Sequence, residues 1–195
     1  MNAHIRYYYK GYLPRLFYLH NSVFAQNKEL PALKAANAAA FFIPASVCKK
    51  FKLEPAKGDA WMKVYNNLNE GAKLQRVNDI RWQASSKDEA LTWYAANSDL
   101  LSEKGKDVTD QVTRPVGVDA WNVYEPGEEM QRMMEGMGVK QNQYTYTFVV
   151  DKYVAKIFVG VNDATSLKES WSFVKEGLKA LLKASGKPKL AALIL

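Results

Sequence analysis

An α+β fold, a two-layer sandwich of mostly antiparallel sheet with helices on one face, is predicted by three observations in this 195-residue sequence. Residues 143–161, "QYTYTFVVDKYVAKIFVGV", alternate as a β-hairpin. Ser-x-x-Glu start signals at Ser86 and Ser166 each open an amphipathic helical run. Between residues 79 and 186 the elements follow the order β-α-β-α-β-β-α, after two N-terminal helices. Helices stacked on one face of an antiparallel sheet bury the apolar sides of both in one core. Hydrophobic residues at 48% and charged residues at 24% are the proportions of a globular chain.

The N-terminal segment reads differently from the rest. The first acidic residue is Glu29, and residues 1–25 carry Arg6, Lys10 and Arg15, three of the chain's seven net positive charges. A cationic start, the apolar run Leu16-Phe17-Tyr18-Leu19 and small residues at Val23 and Ala25 have the layout of a secretory signal peptide. His20 and Asn21 interrupt it, so residues 1–25 are either a signal peptide or an N-terminal arm. Cleavage after Ala25 would make the protein periplasmic or secreted; otherwise it is cytoplasmic. Residues 26–195 form a single domain: a helical part at 31–78, the sandwich at 79–186 and an apolar tail at 187–195. No stretch reaches the roughly 20 apolar residues of a transmembrane span.

Pro31 to Phe42 is Ala-rich and predicts the first helix, ending before Pro44. Residues 44–58, with prolines and several lysines, predict a loop or short strand. Asp59 then caps a second helix in which Trp61, Val64, Tyr65 and Leu68 fall at i, i+3, i+4 and i+7. "IRWQA" from Ile80 predicts a short strand, and the run from Ser86 to about Glu103 a helix that stops at Gly105. Residues 116–124, "VGVDAWNVY", predict the next strand, with Pro126, Glu128 and Glu129 opening a helix that ends at Gly138.

If Asp151-Lys152 is a two-residue turn, Val150 faces Tyr153, Phe148 faces Ala155, Tyr146 faces Ile157 and Tyr144 faces Val159, all on one apolar face. The other face pairs Val149 with Val154, Thr147 with Lys156 and Thr145 with Phe158, and is expected to meet solvent. A slip of one residue would mix the two sets. The last helix carries a stripe of Leu167, Trp171, Val174, Leu178, Leu181 and Leu182, and stops at Gly186 and Pro188.

The chemistry is bounded mainly by what is missing. Both histidines, His4 and His20, lie in the first 25 residues, and Cys48 is the single cysteine. A domain beginning at Gln26 therefore lacks Ser-His-Asp, Cys-His and the usual zinc constellations. Cys48 reads as a small buried hydrophobe. Ser46-x-x-Lys49 lacks its Ser-Asp-Asn and Lys-Thr-Gly companions, and no phosphate loop, dinucleotide fingerprint or calcium loop is present. No cofactor is expected.

These features predict an exported, non-enzymatic domain that binds a small apolar ligand or a partner protein. Trp121, Met130, Met134 and Phe158 are the candidate ligand-binding residues; Met130, Met133, Met134 and Met137 recur at helical spacing, which suits core packing or an adaptable surface. The alternative is a carboxylate-dependent hydrolase using Asp119, Glu125 and Glu128, since two carboxylates across a cleft can act as acid and base. A third reading is a nucleic-acid-binding sheet that stacks bases on its aromatic strands; the hairpin lacks the Gly-aromatic signature that such sheets carry.

Overall fold

The computed structural model describes residues 30–34, 37–56, 58–67, 72–102, 105–128, 131–132, 136, 142–162 and 167–194. Seven strands are assigned: β1 (Leu53–Ala56), β2 (Met62–Asn67), β3 (Leu74–Gln83), β4 (Gly105–Asp107), β5 (Ala120–Pro126), β6 (Asn142–Val150) and β7 (Tyr153–Val161). They form one sheet in the order β1-β2-β3-β7-β6-β5-β4, and every pairing is antiparallel. Two meanders, β1-β2-β3 and β4-β5-β6-β7, are thus zipped together along β3 and β7. Among the described residues the α-helices with assigned bounds are α1 (Ala45–Lys50), α2 (Lys87–Ser102), α3 (Leu167–Ala184) and α4 (Pro188–Ala191). The α+β class with an antiparallel sheet is the one the sequence predicts.

The hairpin has the expected register: Val150 pairs with Tyr153, Phe148 with Ala155, Tyr146 with Ile157 and Tyr144 with Val159. Asp151 takes a φ of 53°, which supplies the tight reversal. Its apolar side is the front face of the sheet. There α3 lays down Phe173, Val174, Leu178, Leu181 and Leu182, all buried against Tyr146, Phe148, Ile157 and Val159. Each such side chain removed from water contributes about 2 kcal/mol before the entropy of ordering it is subtracted. Trp171 stacks on Tyr146 at 5.8 Å, and the Tyr146 hydroxyl and Ser170 Oγ are 2.6 Å apart. Gly186, with a φ of 81°, ends α3, and the Lys187 N–H donates to the Leu182 carbonyl. The apolar tail folds back as α4, burying Ala191 and Ile194.

The N-terminal part departs from expectation. Where a helix is expected from Asp59 onward, residues 62–67 form β2 and residues 74–78 the start of β3, and residues 31–33 are extended, Ala32 bridging Trp82. The spacing of Trp61, Val64 and Tyr65 fits a helical stripe, yet Val and Tyr favour strands, and Asn66, Asn67 and Asn69 weaken a helix. Pairing with β1 and β3 decides the matter by burying Tyr65 and satisfying its backbone. In the stretch expected as a loop or short strand, Ala45–Lys50 is helical and Leu53–Ala56 is the short strand β1. The strand expected at 116–124 starts later, at Ala120, because Val116-Gly117 form a turn in which Gly117 takes a φ of 84°. Pro126 closes β5, and the helix expected after it is seen in its described residues, Glu128, Gln131, Arg132 and Gly136.

The back face is partly covered by α2. Ala84, Ala90, Val149 and Val154 form a small second cluster with Leu30, and Trp93 of α2 lies 5.4 Å from Trp82 of β3. Ser86 Oγ accepts the Glu89 N–H, and the Glu89 carboxylate accepts both the N–H and the hydroxyl of Ser85. The start of the last helix at Ser166 lies outside the described residues.

Candidate functional site

Beyond the Val149–Val154 pair, the back face turns polar. Strand pairing sets Ile80, Lys156, Thr147 and Asn122 side by side across β3, β7, β6 and β5, with Asn78, Phe158, Thr145 and Tyr124 in the adjoining row. The solvent face expected for Thr145, Thr147, Lys156 and Phe158 is in fact buried, and Lys156 is 4% exposed. Burial pushes its ammonium down to about 8, because removal from water disfavours the charged form. Its Nζ lies 5.4 Å from the centre of the Phe158 ring, a cation–π contact. Thr147 Oγ1 is buried and makes no hydrogen bond among the described residues. A buried lysine and an orphaned buried hydroxyl thus face each other across a strand pair, beside the apolar side chains of Phe158, Tyr124 and Ile80.

The sequence passes over this site because Thr147 and Lys156 look like the polar half of an amphipathic hairpin. The signal that reveals it is continuity: Val154 to Val161 is an apolar run interrupted by Lys156 and Gly160, the pattern of a strand covered on both faces.

The sequence-derived candidates lie elsewhere, apart from Phe158. Trp121 pairs with Phe148 on the front face and packs 5.9 Å from Trp171, so it and Phe158 occupy opposite sides of the sheet. Met130 and Met134, with Met133 and Met137, lie outside the described residues. Asp119 and Glu125 are separated by most of β5, about 20 Å at the usual rise per residue. Glu125 pairs with Lys106 at 3.1 Å, and Glu128 is exposed and pairs with Arg132 at 2.9 Å. Asp119 accepts hydrogen bonds from Lys87 Nζ and the Asp151 N–H, with Lys187 Nζ 3.7 Å away. Burial pushes its carboxyl up, but these donors and charges outweigh burial and hold it below the ordinary carboxylate value. The three carboxylates do not converge on one cleft.

A second buried polar cluster lies under α3. The Arg81 guanidinium donates to both Asp79 oxygens, at 2.6 and 2.9 Å, and reaches the Gly177 carbonyl at 3.5 Å. Burial drives the Asp79 carboxyl upward against the pull of Arg81 and the Ile43 N–H. Nearby, burial and the Asp79 charge push the Cys48 thiol up to about 11, so it is protonated at neutral pH and a poor nucleophile. This cluster ties β3 to the helical layer. A shallow groove of about 380 Å³ between Asn37, Pro44, Glu176 and Lys183 lies on the outer side of the same layer. Among the described residues no group of three or more His, Cys, Asp or Glu could hold a metal, and no helix is long and apolar enough to cross a membrane.

No protein-family model, curated protein or solved structure matches this chain significantly.

Proposed function

We propose that this chain is an exported, non-catalytic binding domain for a small, largely apolar molecule carrying one acidic group, seated on the back face of the sheet with its acid against Lys156 and Thr147. The observation that carries this reading is the buried Lys156 directly across from the orphaned Thr147 hydroxyl. A buried ammonium gains most from an anion brought to it in a low-dielectric setting, and a hydroxyl without a partner gains a hydrogen bond. Phe158, Tyr124 and Ile80 supply the apolar walls. Binding rather than hydrolysis is further supported by the separation of Asp119, Glu125 and Glu128, each engaged by a cation. Export rests on the cationic and apolar layout of residues 1–25; N-terminal sequencing of the exported chain should begin at Gln26, and an intact Met1 would sink that part.

The binding reading is tested by thermal denaturation of the full chain with octanoate. A ligand at a hundred times its Kd stabilises the native state by about 2.7 kcal/mol, a readable rise in Tm. The expected result is a rise with octanoate that disappears in Lys156→Met and fades as the pH passes about 8, where Lys156 loses its charge. An equal rise in Lys156→Met, or none in the wild type, overturns the reading. Alanine at Glu125 and Glu128 should leave the octanoate response intact.

A further inference from the structure

We propose that the end of the molecule built by α4 and the Val116-Gly117 turn is a contact surface for an anionic lipid bilayer. Val116 and Leu193 are the exposed large hydrophobic residues among those described, at 47% and 58% exposure. The fold brings their neighbourhoods together: a Cβ on Gly117 would meet Leu190 Cδ1 at 2.8 Å, and the Leu193 N–H bonds to the Leu190 carbonyl. A loop from the middle of the chain and the C-terminal helix therefore present aliphatic side chains at one place.

The charge around them is one-signed. Residues 112–119 and 181–194 contain Arg114, Lys183, Lys187 and Lys189, and Asp119 as their one acid. Asp119 is already engaged by Lys87 and the hairpin turn, and Arg114, Lys183 and Lys189 are exposed. The same polarity holds on a larger scale. Segments 37–52 and 167–194 hold nine lysines against Glu169 and Glu176, whereas residues 53–166 hold thirteen basic and seventeen acidic side chains. The net positive charge of the folded part is thus concentrated in the segments of the helical layer, of which α4 is the end.

Cations alone would suit any polyanion. Exposed aliphatic side chains among them favour a bilayer, whose interface takes up Leu and Val while its headgroups meet the lysines. A nucleic-acid surface would instead call for aromatic or hydrogen-bonding side chains between the cations. The contact is peripheral, with two aliphatic side chains and a few cations, so it should be weak, reversible and sensitive to salt.

The test is co-sedimentation of the full chain with vesicles of equimolar phosphatidylglycerol and phosphatidylcholine, and with vesicles of phosphatidylcholine alone. Binding is expected to the first and not to the second, and it should weaken as salt is raised. Replacing Lys183 and Lys189 together by Gln should reduce partitioning by roughly tenfold or more, at about 1 kcal/mol per cation. Leu193→Asp should abolish it while leaving the Tm unchanged, since that side chain is exposed. Equal binding to both vesicle types, or binding unaffected by Leu193→Asp, overturns the proposal. Sedimentation without vesicles, or tighter capture by a single-stranded oligonucleotide that is indifferent to Leu193, overturns it in favour of self-association or nucleic acid.

Discussion

Lys156 is the residue at which stability and the proposed binding pull against each other. Its pKa falls from 10.5 to about 8 on folding, a difference worth about 3 kcal/mol between the charged and neutral forms. Because the folded value lies below the unfolded one, the unfolded chain binds more protons between pH 8 and 10.5, and stability rises with pH across that window. Below pH 8 the cost is constant. Lys156→Met should therefore be more stable than wild type at pH 7, by up to about 3 kcal/mol, and the gain should shrink toward zero by about pH 10.5. Urea unfolding at the two pH values checks this; a variant no more stable at pH 7, or a gain independent of pH, would show that burial of the charge is not the cost. Arg81 is as deeply buried and has the Asp79 carboxylate at 2.6 Å. The site was only partly legible in the sequence. Phe158 stands out as an aromatic on the hairpin, whereas Lys156 reads as solvent-facing because period-2 alternation does not report whether the second face of a sheet is covered.

Elements with strong local signals are the ones the sequence specifies. The β6–β7 hairpin and α3 follow their periodicities residue for residue, and the turn between the strands reveals a constraint the spacing alone does not show. Asp151 has a positive φ and Lys152 does not, the pattern of a II′ turn, where the first position favours glycine. Asp151→Gly should keep stability within about 0.5 kcal/mol, and Asp151→Val, a β-branched residue forced into the left-handed region, should lose about 2 kcal/mol. Equal stabilities in a denaturant titration would contradict this. On α3, Gly177 makes the converse case. Helix propensity favours Ala there by about 1 kcal/mol. A Cβ would stand 2.9 Å from Ile43 Cγ1 and 3.2 Å from Arg81 Nη2, so Gly177→Ala should nevertheless destabilise, by about 1–2 kcal/mol net. A more stable Gly177→Ala would mean that α3 can lift off the buried Arg81–Asp79 pair at little cost. By contrast, β1 falls in the stretch expected as a loop or short strand, and β2 and most of β3 are not read as strands from the sequence. Their residues carry Lys63, Arg76, Asp79 and Arg81, and their pairing is long-range, so no local pattern competes with the apparent helix at 59–78.

At the scale of the whole molecule, Asp119 holds together parts that are distant in sequence. One carboxylate receives Lys87 at the start of α2, the backbone of the β6–β7 turn at Asp151, and Lys187 just after α3. It joins the back-face helix, the central hairpin and the helical layer at one corner of the sheet, next to the loop that leads into β5. Asp119, the candidate acid of the hydrolase alternative, is thus a clamp between elements. Its carboxyl is held below the ordinary value, so the stabilisation is present above about pH 4 and is lost as the pH falls through the folded-state value. Asp119→Ala should lower stability by about 2 kcal/mol at pH 7, the usual worth of hydrogen bonds to a charged group, and the deficit relative to wild type should narrow under acid conditions. Hydrogen exchange should show the loss as faster opening at three separated places: the first turn of α2, the 150–153 turn and the end of α3. A deficit confined to one of them, or one that persists unchanged at low pH, would mean that the three contacts are independent surface pairs rather than one tie across the fold.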